Sequence, residues 1–301
     1  MRIFPGGRGM IVKVQNRSER ILMPVFSSRV VRQTLPFCLL FSILQARPGE
    51  ALTPAQAQAL CQRALNEELR MAEDSSHPMR YLLRKSSPRL TTTKEIAETH
   101  DGYVARLLQV NDRPLDAAGE QQEQARLDAL LADPSLQRHR KHSEEGDSAI
   151  VLKLLRMLPE AFLYQDAGSA AGGQGRIEKF TFKPNPKFTP PDMETQALTA
   201  MVGEIWVDTA EQRVTHIYGT LQQDTNYGWG ILGRLNKGGW MALDQANVGG
   251  GQWRITHVQL RMSLRIVFRN KIFDTDEQMS NYQPLPASLD YRQAIHLLRG
   301  R

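Results

Sequence analysis

The sequence predicts an α+β domain built on an antiparallel sheet that curls strongly or partly closes. Strand-like runs joined by Gly, Asn and Asp fill the chain from about Glu178 onwards, a spacing that favours a strongly bent sheet. Helical spacing is confined to the N-terminal half. Residues 256–269, "THVQLRMSLRIVFR", alternate apolar Val258, Leu260, Met262, Leu264, Ile266 and Phe268 with mostly polar neighbours. Side chains on a strand point alternately to its two faces, so this stretch reads as one long strand with a dry face that some surface must cover.

Taken in order, residues 29–51 place Arg29 and Arg32 ahead of an apolar run from Leu35 to Leu44. That run is too short for a spanning helix, which needs roughly 20 residues, but it matches the core of a secretory signal. The expected cleavage lies after Ala51, with Ala46 as the alternative site and a buried core helix as the alternative reading. Met23 suits the start of such a signal better than Met1, so residues 1–22 read as an over-extended gene start. The expected domain organisation is thus a signal segment at 1–51 and one domain at 52–301, exported to the periplasm.

Thr53 before Pro54 is a helix start, and Ala57, Cys61, Ala64, Leu65 and Leu69 continue an amphipathic helix to about Met71. Three strand-like runs starting at Arg80, Leu90 and Gly102 are joined by turn chemistry and predict an antiparallel meander, closed by "NDRPLD". A helical insert covers 114–163: one helix ended by Pro134, a charged connector "LQRHRKHSEEGD", and a second helix over "SAIVLKLLRMLPEAFLY". "DAGSAAGGQGR" at 166–176 reads as a mobile loop. Five to seven strands then follow.

The chain carries 38 basic and 32 acidic residues. Residues 1–51 hold eight of the former and two of the latter, so 38 − 8 and 32 − 2 leave 30 of each beyond the signal segment. No basic footprint remains there for a nucleic acid. Cys38 falls in the signal core. Cys61 is then a lone thiol, expected to act as a small core hydrophobe.

Catalytic and metal motifs do not assemble. "GWGILG" at 228–233 matches a dinucleotide fingerprint, but "RLNKGGW" follows where a helix would be needed, so the glycines read as turn or curvature residues. His139 and His142 lie among like charges, and "DTDEQ" at 274 lacks the glycine and final Glu of a calcium loop. No G-x-S-x-G occurs, and no Ser, His and Asp grouping stands out. The expectation is a protein that is not an enzyme, with no metal and no cofactor.

Trp206, Tyr218, Trp229, Trp240 and Trp253 all lie in the strand-rich half. They could simply fill a core. Beside the dry strand they are also what an apolar cavity would be lined with, and the candidate ligand-binding set is Val258, Leu260, Met262, Leu264, Ile266, Phe268, Trp206 and Tyr218.

An exported chain with an N-terminal helix, a meander, a helical insert, and then "GEIWVDTAEQRVTHIYGTL", "KGGWMALDQANV" and "WRITHVQLRMSLRIVF" resembles the periplasmic outer-membrane lipoprotein-sorting superfamily, the LolA- and LolB-like carriers. The resemblance implies an incomplete antiparallel β-barrel wrapped around two to three helices, with an apolar cavity that shelters acyl chains. The expected function is a monomeric carrier of a lipid or of an acylated protein, with an envelope protein as a possible partner. The alternative is a structural or interaction protein of the envelope whose barrel is filled by its own helix, "AIVLKLLRML".

Overall fold

A computed structural model describes residues 51–172, 175–227, 233–266 and 269–300. The signal segment and most of "GWGILG" lie outside the described residues. Among the described residues, four α-helices and one 3-10 helix accompany a single sheet of 13 strands, all of whose pairings are antiparallel. The strands are β1 (Met79–Ser86), β2 (Thr91–Ala97), β3 (Val104–Val110), β4 (Arg113–Pro114), β5 (Phe162–Ala171), β6 (Arg176–Pro184), β7 (Met201–Asp208), β8 (Arg213–Leu221), β9 (Thr225–Tyr227), β10 (Gly233–Leu235), β11 (Trp240–Asn247), β12 (Trp253–Ile266) and β13 (Arg269–Pro284). Their spatial order runs β4-β3-β2-β1-β13-β12-β11-β8-β7-β6-β5, with β10 paired to β12 and β9 to β10. The terminal strands β4 and β5 do not meet, so the barrel is open.

Helix α1 (Pro54–Glu73) starts as expected: the Thr53 side chain accepts from the Gln56 amide while Gln56 reaches back to the Thr53 amide. The meander is also as expected, and its last turn takes Asn111 and Asp112 through positive φ, a conformation these two residue types tolerate. The insert departs from expectation. Asp133 and Pro134 end helix α2 (Ala117–Ala132) but also open helix α3 (Pro134–Ala161), so the charged segment is the first half of a 28-residue helix. Only Gly146 interrupts its helix formers before Pro159, and in its first half the charges stay at least partly exposed while Gln137 is buried, donating to the Asp101 carbonyl at 3.0 Å. "FLY" belongs to β5, as do residues up to Ala171 of the expected loop; small side chains suit an edge strand whose outer residues need no packing. Eight strands, not five to seven, follow β5. Helix α4 (Tyr291–Arg299), absent from the expected elements, opens on a capping box of Asp290 and Gln293.

The helices divide between the two faces of the sheet. α1 and α3 cover the inner face of β5–β8, where Phe162, Tyr164, Phe180, Phe182, Ile205, Val214 and Leu221 pack on Ala57, Cys61, Ala64 and Leu65 of α1 and on half-buried Leu154, Leu155, Met157 and Leu158 of α3. α2 and α4 cover the outer face of the meander, where Ala97 and Val104 meet Leu127, Leu130, Ala294, Ile295 and Leu298. The sheet therefore wraps two helices and carries a second small core on its back.

Two glycines bring the inner face close to its contents. Gly203 and Gly219 are register partners in β7 and β8, and a Cβ on Gly203 would lie 1.8 Å from the Tyr218 carbonyl oxygen. Such paired glycines permit a bend that side chains would block.

Both rims of the sheet are blocked by helix side chains. At β5, the Gln58 amide of α1 accepts from Tyr164 N–H and donates to the Phe162 carbonyl, each at 3.2 Å. At β3, Glu123 of α2 accepts from Leu107 N–H at 2.8 Å while Arg126 donates to the Ala105 carbonyl. In both places a side chain takes the hydrogen bonds that a neighbouring strand would make.

Candidate binding surface on the inner face

The inner face changes character between β8 and β11. Beneath α1 and α3 most of it is buried, with Ile217 of β8 half-buried at the margin. Beyond β8 it continues through Met241 and Leu243 of β11, which stand opposite Leu260 and Val258 of β12, and on to Met262 opposite Phe273 of β13. Leu264 stands opposite Leu235 of β10 and Lys271 of β13. These apolar side chains are half-buried, not buried. Met262 and Leu235 touch the main core, so the strip extends the core floor past the edge of its cover. On α3, Ile150 and Val151 are 43% and 61% exposed, two apolar side chains in the same helix that carries the covering residues Leu154 and Leu155.

α3 runs over the opening between the rims. Its first half is tied to the β2–β3 turn, with Glu144 accepting from Tyr103 N–H at 3.2 Å and Lys141 donating to the His100 carbonyl at 3.0 Å. Its last turn meets β5, where the Tyr164 hydroxyl donates to the Leu158 carbonyl at 2.9 Å. A helix of that length spans roughly 40 Å.

The strip has a polar margin towards the meander. Lys85 and Glu277 pair at 2.5 Å, Glu277 being the register partner of Val258. Lys94, on the same face of β2, is half-buried, and burial together with the neighbouring Arg126 and Arg140 pushes its ammonium below the usual lysine range. Burial also pushes the Glu98 carboxyl up, against a hydrogen bond from Met79 N–H that holds it down.

Of the predicted lining residues, Val258, Leu260, Met262 and Leu264 share the strip. The side chain of Ile266, and Phe268 altogether, lie outside the described residues, as does Trp229. Trp206 and Tyr218 stand on the opposite face, a correction that follows from register: Tyr218 opposes Glu204 and Ala242, and Ala242 opposes Gln259, whose side chain points away from that of Leu260. Trp206 is occupied there, with Lys179 3.9 Å above its ring and His216 against it at 4.7 Å. Trp253 fills the core near Arg213. The missed lining residues, Met241, Leu243, Leu235 and Phe273, come from neighbouring strands, and only pairing register could have found them.

That outer face is polar. Glu204, His216, Asp244, His257 and Asp276 form a row across β7, β8, β11, β12 and β13, with successive separations of 3.8, 2.6, 3.6 and 3.1 Å. Burial opposes ionisation of Asp276, but hydrogen bonds from Gln259 and His257 outweigh it and hold the carboxyl below the usual range. Cys61 is buried and burial pushes its thiol up, which makes it a core side chain and a poor nucleophile. Among the described residues no group of three His, Cys, Asp or Glu side chains is placed to hold a metal ion. Two surface clefts, of about 570 Å³ beside Gln62 and Phe188 and about 610 Å³ beside Val110 and Gln122, include no residue of the strip.

Solved structures align with most of this chain. A domain from Vibrio parahaemolyticus, described as an outer membrane lipoprotein-sorting protein, aligns over 82% of this chain and 99% of its own at 9% identity and a TM-score of 0.31. A LolA superfamily protein from Nitrosomonas europaea aligns over 76% and 94% at 8% identity and a TM-score of 0.26. No family model and no curated protein matches the sequence. At those TM-scores the likeness carries nothing about function, and the functional reading rests on the inner face itself.

Proposed function

We propose that the protein is a non-enzymatic carrier that shelters an acyl chain, of a lipid or of an acylated protein, on the inner face of β11–β13 beneath α3. The observation that carries this reading is the uncovered apolar strip of Leu243, Val258, Leu260 and Leu264 continuous with a closed core. Each methylene removed from water there contributes about 0.8 kcal/mol, so five or six of them supply about 4–5 kcal/mol before ordering costs. The carrier is read as exported through the segment from Arg29 to Ala51 and as working in the periplasm. A self-filled envelope module is the second reading, favoured by the way α1 and α3 already fill the floor of β5–β8.

Native mass spectrometry of protein recovered from its own envelope tests both parts. Under the carrier reading the polypeptide mass begins at Leu52, or at Arg47, and a reproducible lipid mass accompanies it. A clean apo mass supports the self-filled module, and an intact Met1 or Met23 species from the cytosol ends the export reading. A second test uses an environment-sensitive fatty-acid probe on the pair Leu260→Ala and Leu264→Ala. Affinity should fall about tenfold or more, while the stability cost stays below the 3–5 kcal/mol of truncating a fully buried core aromatic. A stability loss of several kcal/mol with unchanged probe binding would mean that the two side chains are core and touch no ligand.

A further inference from the structure

Strand β13 outruns β1, while β10 accompanies β12 on the other flank at Leu264 and Arg265. The last residue of β13 paired with β1 is Asp276, opposite Ser86, so residues 269–275 run on for roughly 20 Å with no strand on that flank. Arg265, Arg269, Asn270 and Lys271 are exposed there, and the Arg261 side chain is 67% exposed. Ile272 is 70% exposed, the most open large apolar side chain of the described residues. From Arg261 to Asp274 the chain carries four cations and one acid, and that acid lies 3.8 Å from Arg261. The domain as a whole is balanced at 30 against 30, so this excess is local.

Cations on a free edge strand can serve merely to discourage pairing with another sheet. That purpose does not account for Ile272, since an open apolar side chain at the centre of the same edge invites association. Arg265 shares the face of Ile272, while Lys271 and Arg269 project from the other face of the same free edge. Approached edge-on, cations on both sides of an exposed apolar side chain match an anionic bilayer surface, where guanidinium and ammonium groups meet headgroup phosphates while the apolar side chain enters the acyl boundary. We propose that the projecting arm of β12 and β13, through Arg265, Arg269, Lys271 and Ile272, docks the protein on an anionic membrane surface. Ile272 lies on the face opposite the apolar strip, while Lys271 stands beside Leu264 at the end of the strip and 4.6 Å over the Phe273 ring; docking needs no bound acyl chain, so it does not require the carrier reading to hold.

The experiment is co-sedimentation of the full chain with vesicles of phosphatidylcholine containing 30% phosphatidylglycerol, against pure phosphatidylcholine and against the anionic vesicles in 0.5 M salt, all composition values being about those used for interfacial binders. Binding is expected to the anionic vesicles at low salt, to be lost in the other two conditions, and to fall about tenfold or more for both Ile272→Asp and the pair Arg269→Glu and Lys271→Glu. Arg89→Glu, an exposed reversal in the β1–β2 turn, should bind as the parent does. Unfolding midpoints separate lost docking from lost folding, and if Ile272→Asp lowers the midpoint the charge-reversal pair decides. Equal binding to neutral vesicles, no binding at all, or parent-like binding by the reversed pair would overturn the proposal. So would full displacement from the vesicles by polyglutamate with no effect of Ile272→Asp, which would assign the arm to an acidic polypeptide.

Discussion

Gly203→Ala is expected to be the most damaging single-methyl change in the protein, lowering stability by more than about 3 kcal/mol or abolishing folding. The added Cβ would meet the Tyr218 carbonyl oxygen at 1.8 Å and the Phe182 ring at 2.8 Å. The first contact is with the backbone of the adjacent strand, so no rotamer change relieves it, and β7 would have to part from β8 at the tightest point of the inner face. Gly146→Ala is the control: nothing lies within 4 Å of its Cβ, and as an exposed helical glycine it should gain about 0.5–1 kcal/mol. Chemical denaturation of the two variants side by side checks the contrast. Equal midpoints would mean that the close approach of β7 and β8 does not exist in solution.

The second large effect is expected at Glu68. Its carboxylate receives both Nε and Nη2 of Arg213, at 2.8 and 2.7 Å, and the amide of Val214 at 2.9 Å, tying α1 to the start of β8. The side chains are 13% and 6% exposed. Glu68→Ala leaves a guanidinium buried without its partner and should cost about 3–5 kcal/mol. Glu68→Leu combined with Arg213→Met removes both charges and should recover most of that loss, because much of the single-variant cost is the orphaned charge. A double variant no more stable than Glu68→Ala would show that the pair is worth its full desolvation cost.

What was legible in the sequence follows from what is local. Period-two alternation placed β12, and the Thr53–Pro54 pair placed α1, since neither depends on remote residues. The first half of α3 was unreadable because its polar face has no stripe to detect; it is helical through capping and continuity, held to the β2–β3 turn by Gln137, Lys141 and Glu144. The face occupied by Trp206 and Tyr218 was unreadable for another reason. Alternation within a strand fixes which side chains travel together, but which of two faces meets a given neighbour depends on pairing register and on the bulges between Trp206 and Val207 and between Asp244 and Gln245. The same limit hid Met241 and Phe273, which reach the strip from strands that the long alternating run does not contain.

The blocked rims bear on how the molecule behaves in a crowd. A sheet whose end strands offer open backbone can grow by recruiting copies of itself, and an unclosed barrel would be a poor design for a protein kept at high concentration. Here Gln58 occupies one terminus of the strand order and the Glu123–Arg126 pair the other, so each is a dead end for templated growth. The mouth can stay open without either terminal strand becoming a seed, so closure of the barrel is not what keeps copies from adding strand to strand at its two ends.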